Sequence, residues 1–273
     1  MNRNRYRRVI LTSAGGGGYT PSADALAWEL MIIANGGSID PAVLQAIDEN
    51  FIIPNVAAGN WAKLDRLNFW LTNSNSIAAR TSMIGNYFAS FVNAVVFDDA
   101  GIKSDGVSAY VTLAYNPNTN GVNYTLNSCS LGYVAENPTF TIVKRSMGCL
   151  TGGGINRAEV YEYDGLGAPS WVNATAAVRN AAKPTGNVII YGKRDADPAN
   201  SITGINAVET SGAAASIVIP NAEVFELNTN YGGSPLGNFD TTYHHLSWHG
   251  AADLDFALIL STVNATEIAL AAL

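Results

Sequence analysis

Charge is scarce in this 273-residue chain, where Asp, Glu, Lys and Arg together make up only 14%. Basic residues beyond the first eight positions are too dispersed to form a phosphate-neutralising face. The net charge of −7 would be −11 without Arg3, Arg5, Arg7 and Arg8. No nucleic-acid partner is therefore expected. No apolar run approaches the roughly 18 residues a membrane span requires, so no membrane partner is expected either. The segment VILTSAGGGG has too short an apolar centre to act as a secretory signal. Cysteine is limited to Cys129 and Cys149, each in an alternating pattern where a small apolar residue fits equally well, so no disulfide is required. The glycine runs Gly15 to Gly18 and Gly152 to Gly154 lack the Lys and Ser/Thr of a phosphate-cradling loop.

Two kinds of pattern are present. Thr20, Pro21 and Ser22 supply start signals for a helix with Leu26, Leu30 and Ile33 at helical spacing, stopped by Asn35-Gly36-Gly37. Asp40 and Pro41 open a second helix striped by Val43, Leu44, Ile47 and Phe51. The spacing of Trp61, Leu64, Leu67 and Leu71 predicts a third over 59–71. From about Val95 the period changes to two, and some ten strand-like runs separated by Gly, Asn, Pro and Asp follow, FALILST the last of them. Asn264 and Glu267, at capping-box spacing, predict a closing helix. The chain reads as mainly β, a sandwich or jelly roll preceded by a small helical region and an extended arm. The expected divisions are 1–19 for the basic arm and glycine tether, 20–92 for the helical region and 93–273 for the β domain.

Specific residues add a resemblance. Trp61-Ala62-Lys63-Leu64-Asp65-Arg66-Leu67, the Asn93-Ala94 step, Lys103 through Tyr110 and Tyr115-Asn116-Pro117 are followed by Gly192-Lys193-Arg194-Asp195, Gly204-Ile205-Asn206, Val224 through Asn228 and Thr262 through Glu267. In this order they resemble bacteriophage virion structural or fibre proteins with a concanavalin A-like (LamG-type) jelly roll. The resemblance implies a virion location as a head fibre, decoration or tail-associated component, no catalytic residues, and partners among other virion proteins. On it, Arg3, Arg5, Arg7 and Arg8 with Val9, Ile10 and Leu11 read as a docking strand for an acidic virion protein, with the glycines as tether. A homo-oligomer is expected, packed through the helices at Trp28 and Trp61, and a host surface glycan is the alternative partner.

Candidate chemistry is thin. Glu162 and Asp164 fall on one face by alternation and Glu159 on the other, so the acid order of a β-sandwich glycosidase is missing and no enzyme is expected; the enzymatic alternative, a polysaccharide depolymerase, would need Glu162 and Asp164 to face a cleft. His244, His245 and His249 alternate as in a strand and read as satisfied polar residues rather than metal ligands. Asp195, Asp197 and Asn200 form an oxygen-rich loop that would suit calcium, though turn chemistry explains them equally well; no other cofactor is expected. Trp171, Tyr231, Tyr243 and Trp248 are candidates for a sugar-stacking platform, with Tyr231, Tyr243 and Trp248 the expected glycan contacts.

Overall fold

The computed structural model describes residues 18–273; the expected docking strand from Arg3 to Leu11 lies outside them. Helix α1 (Ala23–Ala34) starts at Ser22, whose Oγ accepts the Ala25 N–H, and stops where the Asn35 and Gly36 amides return to its last carbonyls. Asp40 caps α2 (Pro41–Ile47), and a π-helical turn at Asp48–Ile52 leads into α3 (Ile53–Ala57). Buried Asp48 accepts bonds from Tyr19 Oη (2.8 Å), Ser22 N (2.7 Å) and Ser22 Oγ (2.6 Å), which ties the start of α1 to this turn.

The third predicted helix is corrected. A single 3-10 turn at Trp61–Lys63 passes into strand β1 (Leu64–Phe69), all six residues of which are buried. Then come α4 (Ser76–Arg80), β2 (Ser90–Val92), β3 (Val96–Asp98), β4 (Gly101–Lys103), β5 (Tyr110–Thr112) and α5 (Pro117–Asn120). The long strands follow: β6 (Ser128–Glu136), β7 (Lys144–Thr151), β8 (Asn156–Tyr163), β9 (Ala168–Ala174), β10 (Val178–Asn180), β11 (Asn187–Asp195), β12 (Asn200–Ile205) and β13 (Val208–Ala213). Short β14 (Phe225–Glu226), β15 (Asn228–Tyr231) and β16 (Ser234–Pro235) precede β17 (His244–Gly250) and α6 (Phe256–Leu270). FALILST is thus the opening of α6 rather than a strand, with Asp255 accepting the Leu258 N–H as its cap.

One sheet runs β13-β12-β11-β6-β17-β4-β3, with β1 also paired to β17. The other runs β10-β9-β8-β7-β14-β5-β2, and β15 lies parallel to β7. This is the mainly β jelly-roll sandwich with a helical region that the sequence predicts. Between the sheets lie Leu131, Tyr133, Val188 and Ile190 from the first and Met147, Cys149, Ala158, Val160 and Val172 from the second. Both cysteines are free and buried in this core.

The first sheet also has a covered outer face. Val134, Ile189, Tyr191, Leu246 and Trp248 point there and pack against Trp28, Ile47 and Phe51 of the N-terminal helices and Phe256 and Ile259 of α6. Trp28 is fully buried in this core and Trp61 is partly buried against it, while Leu26, Leu30 and Ile33 of α1 are exposed. Because β1 pairs with β17 from Leu64 to Phe69, the expected boundary at 92/93 cuts through a sheet.

Motif residues of the WAKLD segment are staples of this fold. The Asp65 carboxylate accepts the amides of Val122 (3.0 Å), Asn123 (2.8 Å) and Tyr124 (2.8 Å), fixing the approach to β6 against β1. Asp105 does the same locally for Val107, Ser108 and Ala109, and these three backbone bonds hold its carboxyl well below the usual range.

Candidate functional site

The outer face of the second sheet bears the most concentrated chemistry outside the core. In β8, Ala158 and Val160 turn inward, so strict alternation turns Arg157, Glu159 and Tyr161 outward. Register places Thr229, Gly148, Glu159 and Trp171 side by side across four neighbouring strands. Tyr231 and Leu150 adjoin Arg157 on one flank, and Arg145 lies beside Tyr161 on the other. Gly148 is essential to the row. Its φ is 154°, and a Cβ there would meet the Glu159 Cγ at 2.8 Å and the Ala158 carbonyl oxygen at 2.6 Å. The Glu159 side chain therefore occupies space that only glycine leaves open.

Two cation–aromatic pairs flank the carboxylate. The Arg157 guanidinium lies 5.1 Å from the Trp171 ring centre and that of Arg145 5.6 Å from the Tyr161 ring, while the two rings are 5.0 Å apart. Both guanidinium groups are held from behind: Arg157 Nε donates to the Gly154 carbonyl (2.7 Å), and Arg145 Nη1 to those of Leu236 (2.8 Å) and Gly237 (3.2 Å). Arg145 Nε also donates to Tyr161 Oη at 2.9 Å, and that hydroxyl faces Glu159 Oε1 at 3.4 Å.

Glu159 itself is fully buried, and its Oε2 accepts no hydrogen bond from the described residues; Arg157 Nη1 stands off at 3.5 Å. The Thr229 hydroxyl lies beside it and eases its charge, yet makes no full hydrogen bond. Burial raises the carboxyl and the nearby guanidinium charges only partly offset this, leaving it at about 7. Burial and the Glu159 charge push the Tyr161 phenol up to about 12. Tyr231 is 43% accessible and the Arg157 side chain 29%, and Arg145 is also partly exposed.

Several expected residues fall elsewhere. Trp248 is fully buried between the first sheet and α6, over Gly132, and is corrected from glycan contact to core. Tyr243 precedes β17 in the first sheet, its hydroxyl on Asp98 (2.5 Å) and its ring under Lys103, whereas Tyr231 lies on the second; they form no common platform. Of the four aromatic candidates, Trp171 and Tyr231 share the outer face. The sequence patterns do not single out Arg145, Arg157 or Tyr161 as site residues, although Arg157, Glu159 and Tyr161 fall at every other position.

The Asp195–Asn200 loop is already supplied with a cation from within. Arg194 donates to the carbonyls of Asp197 (3.0 Å), Pro198 (3.3 Å), Asn200 (2.6 Å), Val172 (2.8 Å) and Ala214 (2.6 Å). The Asp197 carboxylate is turned to the Ala199 amide and the Asn200 side chain, and Asp195 is exposed at the strand end. Asp195, Asp197 and Asn200 therefore do not converge on a calcium site: the backbone carbonyls of Asp197 and Asn200 are aimed at a guanidinium whose charge would repel the ion.

Glu162 and Asp164 do not share a cleft. Asp164 pairs with Arg179 at the surface, while Glu162 is buried in the sandwich against Lys144 (3.2 Å) and Thr242 (2.5 Å). There it belongs to an internal polar network. His244 stacks on Tyr133 at 4.3 Å and bridges Glu226 (Nδ1, 3.0 Å) and Asp240 (Nε2, 3.2 Å). Both ring nitrogens face carboxylates, which only the doubly protonated ring satisfies. Burial works against that charge, but the two acids overcome it and raise His244 to about 9. Burial likewise works against the Asp240 carboxylate, and His244 and Lys144 overcome it to hold that group at about 2. Glu226 further accepts from Trp70 Nε1 (3.0 Å) and Ser247 Oγ (2.6 Å), with Arg66 at 3.8 Å. His245 and His249, expected as satisfied polar residues, are buried without hydrogen bonds to the described residues at either ring nitrogen, and burial lowers both, His245 to about 4. Among the described residues no group of His, Cys, Asp or Glu is placed to hold a metal ion. Among them too, no helix is long and apolar enough to cross a membrane.

Fold and geometry together define a jelly-roll sandwich with a helical layer on one sheet and an arginine–aromatic face on the other. No protein-family model and no curated protein matches the sequence. Solved structures do match the fold. A mutant of Trypanosoma rangeli sialidase displaying trans-sialidase activity superposes with a TM-score of 0.53 at 12% identity, over 83% of this chain and 38% of that one. The same sialidase in complex with 2,3-difluorosialic acid, a covalent intermediate, gives 0.53 at 11% identity, over 76% of this chain and 33% of that one. Domain 4 of AbnA, a GH43 extracellular arabinanase from Geobacillus stearothermophilus, in complex with arabinotriose, gives 0.48 at 15% identity, over 73% of this chain and 98% of that one. This chain thus spans about a third of the length of the sialidase chains it matches. The expectation that the protein is not an enzyme is corrected by these matches: chains sharing its fold include sialidases, so the sandwich gives no ground for excluding catalysis.

Proposed function

We propose that the chain is a glycan-recognising β-sandwich carried on a bacteriophage particle, with the outer face of the second sheet as its binding surface. The observation that supports recognition is the row Thr229, Gly148, Glu159 and Trp171 flanked by Arg145, Arg157, Tyr161 and Tyr231. Sugars are held by aromatic rings against their C–H faces and by fixed, charged hydrogen-bonding groups at their hydroxyls. Tyr231 is the accessible aromatic ring, and Arg157 and Arg145 are partly accessible charged groups. Glu159 acts from beneath by orienting Arg157.

The phage setting rests on the residue motifs and on the arginine-rich arm, which would attach the sandwich to an acidic virion partner. A glycan array with the purified chain tests recognition. Binding to host surface polysaccharide should fall at least tenfold in Arg157→Ala and in Tyr231→Ala. Absence of binding to any polysaccharide would refute it. Mass spectrometry of purified virions tests the setting. The full chain should be present in particles, and a chain lacking residues 1–14 should fold but be missing from them.

A further inference from the structure

Deepening the proposed glycan-recognition reading, and resting on it, we infer that the sugar bound at this face carries a carboxylate, which takes Arg157 over from Glu159. The face holds two guanidinium groups, Arg157 3.5 Å from Glu159 and Arg145 beside Tyr161 on the other flank, and both ease the Glu159 charge in a protein of net charge −7. Neither guanidinium is saturated: Arg157 uses Nε on Gly154, and Arg145 uses Nε and Nη1 on Tyr161, Leu236 and Gly237. A guanidinium with two free parallel N–H groups is matched by a planar carboxylate, which it binds through two bonds, more closely than by a hydroxyl.

The internal partner is a weak one. Glu159 Oε2 is buried, accepts no hydrogen bond from the described residues and stands 3.5 Å from Arg157 Nη1, too far for the short contact a settled pair makes. Such a counter-ion keeps Arg157 in place yet yields it to a better-placed acid from outside. Once displaced, Glu159 would be a buried charge with less compensation, so it takes up a proton. Its carboxyl, already raised to about 7 by burial, is poised for this near neutrality. The groups facing it are Arg145 and, from the core side, Cys149 on β7, Arg157 and Tyr161 on its own strand, and Thr229 on β15; β9 contributes only Trp171. Cys149 and Tyr161 are both pushed upward by burial and stay protonated near neutrality, which leaves Glu159 to set the pH dependence.

Titration calorimetry with the full chain, using uronate-containing oligosaccharides and the carboxyl-reduced form of each, tests the inference. The acidic form should bind at least tenfold more tightly than its reduced counterpart, and more tightly at pH 6 than at pH 8. Runs in buffers of different ionisation enthalpy should show proton uptake. Glu159→Gln should keep the acid preference and lose the pH dependence, and Arg157→Gln should bring the acidic form down to the level of the reduced one. Equal binding of acidic and reduced forms would overturn the inference while leaving glycan recognition standing. Absence of binding to both forms, and to every neutral glycan on the array, would overturn recognition itself. The comparison of acidic with reduced ligand needs no variant, so poor folding of a substituted protein does not blunt it.

Discussion

The His244 imidazole sits 3.0 Å from the Glu226 carboxylate, both completely buried, with Asp240 closing the other side of the ring. Removing the imidazolium would leave two carboxylates in the sandwich without their shared cation. His244→Ala should therefore destabilise the fold by about 3–5 kcal/mol, the range for breaking a buried pair from one side. Urea denaturation followed by tryptophan fluorescence measures this; a loss below about 1 kcal/mol would mean the network is not held by charge.

The same ring sets an alkaline limit. Because its folded pKa, about 9, lies above the ordinary 6.5, its contribution is full below pH 6.5 and is lost as pH rises through 9. Glu159, raised to about 7, adds a loss in the same direction between its ordinary 4.5 and 7. His245 and His249 are lowered, so their contribution is present above 6.5 and is lost as pH falls, for His245 toward 4 and for His249 in the same direction. Melting temperature against pH should fall toward both extremes, and His244→Asn should flatten the limb between 6.5 and 9.

Asp65 takes three successive amides that have no other partner among the described residues. Asp65→Ala should cost roughly 3 kcal/mol, since bonds to a charged acceptor are among the stronger ones. Hydrogen exchange should speed up first at Val122, Asn123 and Tyr124, ahead of the strands.

Arg194 satisfies five carbonyl groups around the Asp195–Asn200 loop. Arg194→Met should destabilise by roughly 3 kcal/mol through those lost partners. Millimolar calcium should leave the melting temperature of the unsubstituted chain unchanged. A rise in calcium would return the loop to the status of a metal site.

Trp248 fills the layer between the first sheet and α6, its ring over Gly132 and 5.8 Å from that of Phe256. Trp248→Phe, which keeps most of the ring, should lower stability by about 1–3 kcal/mol yet leave glycan affinity of the folded fraction unchanged. A selective loss of affinity would place Trp248 back at the binding face.

The misread segments show what a one-dimensional pattern leaves out. In β1, Leu64, Leu67 and Phe69 face the helices while Arg66 and Asn68 enter the internal network, so neither side is solvent-facing and no alternation marks a strand. Trp61, Leu64, Leu67 and Leu71 then match helical spacing by coincidence. FALILST is a short apolar run that fits a buried strand or a buried helix equally, and the Asp255 cap decides between them. In β8 the alternation of Glu159 and Glu162 to opposite faces was readable, but which face lay inside the sandwich was not.

Local chemistry, written in the residues themselves, determined the β-rich architecture, the capped helices at Ser22 and Asp40, and the segregation of basic charge into the first eight positions. Those features depend on neighbours within a few residues. Tertiary structure alone decided that Glu162 is internal and Glu159 faces outward, that Arg194 occupies the calcium-like loop, and that Trp248 is core. Each depends on strands far apart in the chain: β15 and β7 bring Thr229 and Gly148 beside Glu159, and burial then raises a carboxyl that would otherwise titrate in the ordinary acid range.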